Sequence, residues 1–347
     1  MARYPSRLHG RRGGRNLRWV YTISALFIIA GVITFIYGRH PSSEKEDEIS
    51  IKLANIDVEN RTNPAAVVSP KLEPNFYPEA KLSKITPEPT SEPNPKVAEL
   101  IDEAMGLVNA KPARIIEARD RLNETLPMPM NNVQQAVIKR KLSELADKWL
   151  FSRTVFPKDK LCDNYRVRSG DLLSAIGKQH KVPWEILKEV NRISRPELLK
   201  AGEMIKVIHG PFHARIYRST FTMDLYLQHT FVRSFPVGLG KADMETPTGL
   251  WRVKQGGKLI KPPWSDPVTH KLLNYGDPGY ALGSRWIALE GIKGNAKDRS
   301  GFGIHGTKEP ETIGTRSSRG CIRLHNGDVI LVYNLLVPRY SQVEIVE

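Results

Sequence analysis

The sequence predicts a multidomain chain: a transmembrane helix near the N-terminus, a small α-helical segment, a compact α+β module and a mainly-β C-terminal domain. Three observations predict it. Residues 19–38 carry no charge. Between 96 and 150 apolar residues recur at helical spacing, and beyond His213 they fall in short alternating runs punctuated by glycine. A length of 347 residues suits two or three compact domains.

Residues 1–18 form a basic tail with Arg3, Arg7, Arg11, Arg12, Arg15 and Arg18. The apolar run 19–38, WVYTISALFIIAGVITFIYG, reaches about 30 Å as a helix, the thickness of a bilayer core. Trp19, Tyr21 and Tyr37 lie near its ends, where amphipathic rings prefer the interface. Arginines precede the run, and Glu44, Glu46, Asp47 and Glu48 follow it soon after Arg39. The positive-inside rule then predicts a single-pass inner-membrane protein with a cytoplasmic N-terminus and everything after residue 38 outside. A cleaved signal peptide is the competing reading. Its apolar core would be shorter, and no A-x-A cleavage pattern follows Gly38.

Residues 39–95 are rich in Pro, Glu, Ser and Asn, and predict a disordered linker that tethers the rest. Within 96–150, Val97, Leu100, Ile101, Ala104 and Val108 make one helical stripe, and Ile115, Ile116, Ala118 and Leu122 a second. Asn131 or Asn132 can cap a third helix carrying Val133, Ala136, Val137, Leu145 and Trp149. The segment has a faint likeness to a tetratricopeptide unit, but with fewer than three repeats it reads as a helical spacer or packing module of unknown partner.

In residues 164–210, Tyr165 and Val167 alternate with arginines as a strand does, Ser169-Gly170 makes a turn, and Asp171 can cap the next helix. Pro183 opens a second helix with Trp184, Ile186, Leu187 and Val190, and Leu199 to Val207 supplies a closing turn and strand. This order of elements resembles a LysM module, departing from it at Leu172, where such modules commonly carry threonine. The resemblance implies binding of N-acetylglucosamine-containing glycan through Ser169, Gly170, Asp171, Leu172 and Leu199. A structural domain without glycan affinity is the rival reading.

In the β domain, 212–347, Ile304-His305-Gly306 and Ser318-Arg319-Gly320-Cys321-Ile322-Arg323 place a histidine and a cysteine a loop apart, each flanked by glycine. A thiol is a weak nucleophile until ionised, and an imidazole can take its proton. Gly306, Gly314 and Gly320 let the loop fold back, and amides near Gly320 and Cys321 can face a developing oxyanion. The residues alone therefore suggest a Cys/His acyl-transfer site. The segment Lys258–Ser284 is long enough to be functional and offers Trp264 and Tyr280 as substrate contacts, with core packing as the rival role.

These two motifs, with Thr246-Pro247-Thr248-Gly249 and Leu282-Gly283-Ser284-Arg285-Trp286-Ile287, resemble the L,D-transpeptidase (YkuD-type) catalytic domain. Arg319 departs from the second histidine many members carry, leaving His305 as the base. The resemblance implies a thioester on Cys321, displaced by an amine of a neighbouring peptidoglycan stem to give a 3→3 cross-link, with no cofactor. Arg323 would hold a substrate carboxylate or brace the loop, and Ser318 and Arg319 would shape it. Hydrolysis by an L,D-carboxypeptidase and a non-catalytic wall-binding scaffold are the alternatives.

Region 212–347 has 18 Lys+Arg against 12 Asp+Glu, mildly basic, so the chain's +15 is no nucleic-acid stripe. A moderate positive surface suits an anionic wall polymer. The second cysteine, Cys162, reads as an ordinary small side chain, and no metal-ligand spacing occurs.

Overall fold

The computed structural model describes residue 90 and residues 92–347, and its first helix begins where the side chains dictate. Asn94 accepts the Lys96 amide at 2.9 Å, and Pro95 takes the first helical position, where its missing N–H costs nothing. The basic tail, the predicted membrane helix and nearly all of the predicted linker lie outside the described residues. Among the described residues no helix is long and apolar enough to cross a membrane. The last residues of the stretch read as linker belong to the helical segment, since Thr90 donates its amide to the Met130 carbonyl and α1 starts at Pro95.

Helices α1 (Pro95–Asn109), α2 (Ile115–Thr125) and α3 (Asn132–Trp149) follow in order. Asn131 caps α3 by accepting the Gln134 amide at 2.9 Å. The buried stripe of α3 is Gln134, Ile138, Leu142, Leu145, Ala146 and Trp149, which corrects the expected face: Val133 is 70% exposed. Gln134 turns inward because its amide clasps both backbone groups of Asn94, each at 2.8 Å, and fastens α3 to the start of α1.

The LysM-like module runs β1 (Cys162–Arg166), α4 (Leu173–Gln179), α5 (Trp184–Val190), β2 (Met204–Ile208), its two strands pairing antiparallel. Buried Asn191 sews α5 to β2, donating to the carbonyls of Leu187 and Lys206 and accepting the Lys206 amide. Asp171 does not cap α4. Its carboxylate accepts from the Tyr165 hydroxyl and the Arg168 amide, both at 2.8 Å, so it closes the preceding turn instead. Cys162 is free and buried, and burial pushes its thiol up to about 12.

The β domain contains β3 (Phe212–Tyr217), β4 (Thr222–Leu227), β5 (Thr230–Pro236), β6 (Leu239–Gly240), β7 (Gly249–Ile260), β8 (Trp264–Ser265), β9 (Leu272–Leu273), β10 (Arg285–Lys293), β11 (Phe302–His305), β12 (Arg316–Ser318), β13 (Ile322–Arg323), helix α6 (Asn326–Leu335) and β14 (Gln342–Val346). Eight strands form one sheet in the order β13-β11-β10-β7-β14-β3-β4-β5. Alternation sets its faces: in β14, Val343 and Ile345 are buried while Gln342, Glu344 and Val346 are only partly so. A bridge between Gly238, just past β5, and Arg323 on β13 brings the two edges of the sheet together. Closing a sheet removes the open edge that invites aggregation.

The three parts are joined by buried polar contacts. Arg119 on α2 pairs with fully buried Asp159 at 2.8 Å and lies over the Trp149 ring. Lys206, 1% exposed, donates to the carbonyls of Trp149, Ser152 and Thr154, where the peptide dipoles at the end of α3 favour a cation. Lys139 on α3 pairs at 2.6 Å with Asp224, buried on β4. The helical segment thus packs against the eight-stranded sheet, with Asp147 of α3 also pairing with Arg233 on β5.

Candidate active site

Strands β11 and β13 lie side by side and parallel, with Ile304 opposite Ile322 and His305 opposite Arg323. The isoleucines are fully buried and turn toward the core. Alternation therefore turns His305, Arg323 and Cys321 to the other face. Sixteen residues of separation in sequence become two in register, because the intervening loop returns beside β11. Its return rests on β6–β12 pairing and on a 3₁₀ turn at Pro310–Thr312.

His305 is 4% exposed, and its Nδ1–H donates to the Gly306 carbonyl at 2.6 Å. That bond fixes the tautomer, leaving Nε2 as the bare acceptor. Burial, with a smaller contribution from the Arg323 charge, pushes the imidazole down to about 4, so it is neutral near pH 7. Trp286, opposite it on β10, stacks on the ring at 5.7 Å between centroids.

Cys321 is half-buried, and burial raises its thiol, opposed by the Gly303 amide and the Arg323 charge. Its Sγ contacts the Gly301 carbonyl at 3.9 Å, and no hydrogen bond joins it to His305 in this structure. Burial of the thiol thus works against its ionised form, and the Gly303 amide and Arg323 work for it. Gly303 beside it has no side chain for a reason: a Cβ there would stand 2.7 Å from the Trp286 ring.

The loop that carries the thiol is braced from several sides. Gly320 holds φ at +106°, and a Cβ on it would meet the Phe302 ring at 2.7 Å. Its amide donates to Ser318 Oγ at 3.2 Å, while that hydroxyl donates to the Cys321 carbonyl at 2.6 Å. Ser318 is thus a loop shaper, and the Gly320 amide is not free to serve as an oxyanion donor here. Arg323 braces as well, donating to Glu309 at 3.2 Å and Thr312 at 3.4 Å. Arg319 reaches Asp266 at 3.5 Å, linking the thiol loop to the β8–β9 hairpin.

That hairpin belongs to the long segment between β7 and β10. Tyr280 is 1% exposed, donates its hydroxyl to the Pro262 carbonyl at 2.7 Å, and packs with Leu273 and Leu282. It therefore acts by packing, which corrects its expected place against substrate. Trp264 is half-buried and meets Tyr280 edge to face, and Trp286 packs on the same cluster. An aromatic chain thus runs from the hairpin through Trp286 to the His305 imidazole.

Two positioning residues escaped the sequence reading. Thr246, buried, accepts the Gly240 amide at 3.0 Å and donates to the Gly320 carbonyl at 2.9 Å. Asn326 accepts the Ser284 amide at 3.0 Å and donates to the Thr307 carbonyl at 2.7 Å, pinning the chain just after His305. A short polar residue at a helix start reads as a cap, which hides its reach to another strand. Among the described residues no group of three His, Cys, Asp or Glu side chains gathers as a metal site does.

In the LysM-like module, the Val167–Glu203 and Gly202–Val167 backbone bonds set the turn 168–172 beside the turn 198–202. Ser169 and Gly170 are exposed there, Asp171 and Leu199 half-buried, and Leu172 is 61% exposed.

The chain is similar to known proteins over its C-terminal part. The L,D-transpeptidase catalytic domain (YkuD) family matches residues 211–345, and the LysM domain family matches 165–207. YkuD of Bacillus subtilis (strain 168), named as an L,D-transpeptidase, is 29% identical over 191 residues, spanning 52% of this chain and 97% of its own. YqjB of the same organism, named likewise, is 34% identical over 127 residues, spanning 37% of this chain and 67% of its own. A solved L,D-transpeptidase from Mycobacterium tuberculosis H37Rv shares 16% identity at a TM-score of 0.32, over 43% of this chain and 64% of that one.

Proposed function

The chain belongs to the L,D-transpeptidase family, and from that premise we propose that it forms 3→3 cross-links in peptidoglycan through a thioester on Cys321. The observation that carries this reading is the shared face of His305 and Cys321 on adjacent strands. The Nε2 of His305 takes the thiol proton, and Sγ attacks the carbonyl carbon of the donor stem's third residue. The bond to the terminal D-residue then breaks, and the imidazolium returns its proton to the departing amine. An acceptor amine attacks the thioester, its proton passes through His305 to the sulfur, and the thiol is restored.

Arg323 places a fixed positive charge between the two groups, where it favours thiolate over thiol. The LysM loops bearing Ser169, Gly170, Leu172 and Leu199 hold glycan, raising the local concentration of stems. Residues 19–38 anchor the chain in the inner membrane with the catalytic domain on the wall side. The uncharged run and the arginines before it support that orientation.

The test incubates the chain with disaccharide–tetrapeptide and follows products by mass spectrometry. Cross-linked dimers with loss of the terminal D-residue are expected, together with a carbapenem adduct that Cys321→Ala abolishes. Trimmed monomers alone would identify a carboxypeptidase. An adduct retained in Cys321→Ala would overturn the thioester assignment. Protease protection of the C-terminus in intact cells would overturn the orientation.

A further inference from the structure

A second binding surface lies away from the thiol, where the LysM-like module meets the β domain. Helix α5 and the turn after it supply one wall, with Trp184, Lys188 and Arg192. The end of β7, the start of β10 and helix α6 supply the other, with Ile260, Arg285 and Tyr333. The cleft measures about 580 Å³, within the roughly 300–1,000 Å³ common for ligand sites. It is distinct from the two turns assigned above to glycan, which precede α4 and β2.

Its lining has the chemistry of a site. Trp184 stands at the helix start with 36% of its surface exposed, and Ile260 across the cleft is 58% exposed. A half-exposed indole beside polar groups is the usual platform for a sugar ring, with one apolar face and a wet edge. Arg285 lies over the Tyr333 ring at 5.4 Å and donates one guanidinium nitrogen to the Ser284 carbonyl, while its Nε has no partner. Among the described residues no acid forms an ion pair with Lys188, Arg192 or Arg285. Glu185 and Glu189 also line the cleft, so three cations face two carboxylates and the balance favours an anion.

We propose that this cleft binds a muramyl-peptide segment of peptidoglycan, a sugar ring resting on Trp184 and a stem carboxylate paired with Arg285. A neutral glycan would leave the cations unanswered, and a free peptide would leave the indole bare. This assignment rests on the wall being the substrate. Arg285 directly precedes Trp286, whose ring stacks on His305, so the cleft and the thiol lie on opposite faces of one strand.

The test uses the full-length chain carrying Cys321→Ala, to stop turnover, and titrates it calorimetrically with disaccharide–tetrapeptide and with chitotetraose. Arg285→Gln should weaken disaccharide–tetrapeptide binding about tenfold, the scale of one charge-assisted hydrogen bond, and leave chitotetraose binding unchanged, and Trp184→Ala should weaken disaccharide–tetrapeptide binding too. Arg192→Glu, on the exposed surface where folding is not at stake, should weaken it in the same direction. Binding that survives all three substitutions, or a parent chain that binds no disaccharide–tetrapeptide, overturns the cleft. If the variants weaken binding yet the Cys321-intact chain leaves the ligand unprocessed, the cleft stands and the transpeptidase reading falls.

Discussion

Cys321 and His305 sit on one face of the parallel β11–β13 pair, two residues out of register, with Arg323 directly opposite the imidazole. Diagonal neighbours of this kind are roughly 7–8 Å apart at the backbone, a span that a cysteine and a histidine side chain can close together. The thiol rests instead on the Gly301 carbonyl.

That arrangement predicts a pH dependence. The imidazoles of His305 and His213 are both held at about 4 by burial, below the ordinary 6.5. Between those values the unfolded chain binds more protons than the folded one, so stability must fall as pH drops from about 6.5 to about 4. Thermal melts across that window should show the decline, and His305→Gln should lessen it, leaving the part that His213 contributes. A flat profile in the parent chain would contradict the burial of neutral histidines. The raised Cys321 thiol predicts that alkylation of resting enzyme by iodoacetamide still climbs above the pH where ordinary thiols ionise.

Thr246 offers a test of how the thiol loop is held. Thr246→Val removes both the acceptor for Gly240 and the donor to Gly320, at a cost of about 1–3 kcal/mol. Turnover should fall about tenfold or more with little change in KM, and Thr246→Ser should restore most of it. Equal loss in both variants would point to packing alone.

Gly320→Ala is predicted to be inactive and destabilised by about 1–3 kcal/mol, from its positive φ. The new methyl also collides with Phe302. Phe302→Leu in the same chain should recover stability in part, measured by urea unfolding, because it relieves the contact and leaves the backbone strain.

The docking of the helical segment can be probed at Lys139. Lys139→Met strands the buried Asp224 carboxylate, which keeps its bonds from Ser234 and Tyr226. A loss of about 2–3 kcal/mol is expected, below the 3–5 typical when a fully buried pair is broken. The double variant Lys139→Met/Asp224→Asn should recover much of it. No change in urea midpoint for the single variant would show the pair to be incidental.

Much of the fold was readable because it rests on local chemistry. Asn131 and Pro183 mark helix starts by their own side chains, and alternation marks β3 to β5. The Cys/His pair was legible as a motif. What stayed hidden depends on pairings between distant strands. The α3 stripe was misjudged because Gln134 goes inward to serve Asn94, forty residues away, leaving Val133 outside. Tyr280 reads as a substrate contact or a packing residue because it follows Pro278-Gly279 in a long loop, and its partner Pro262 is visible only once the hairpin forms. The occupation of the Gly320 amide by Ser318 could not be foreseen either, since spacing alone does not say which way a hydroxyl turns.

Lys206 remains, a cation sealed from solvent and grasped by the carbonyls of Trp149, Ser152 and Thr154. It fastens the LysM-like module to the helices that lie against the β-domain sheet. Tilting that module would mean exposing a charge and three acceptors at once, so this seam resists being pried open.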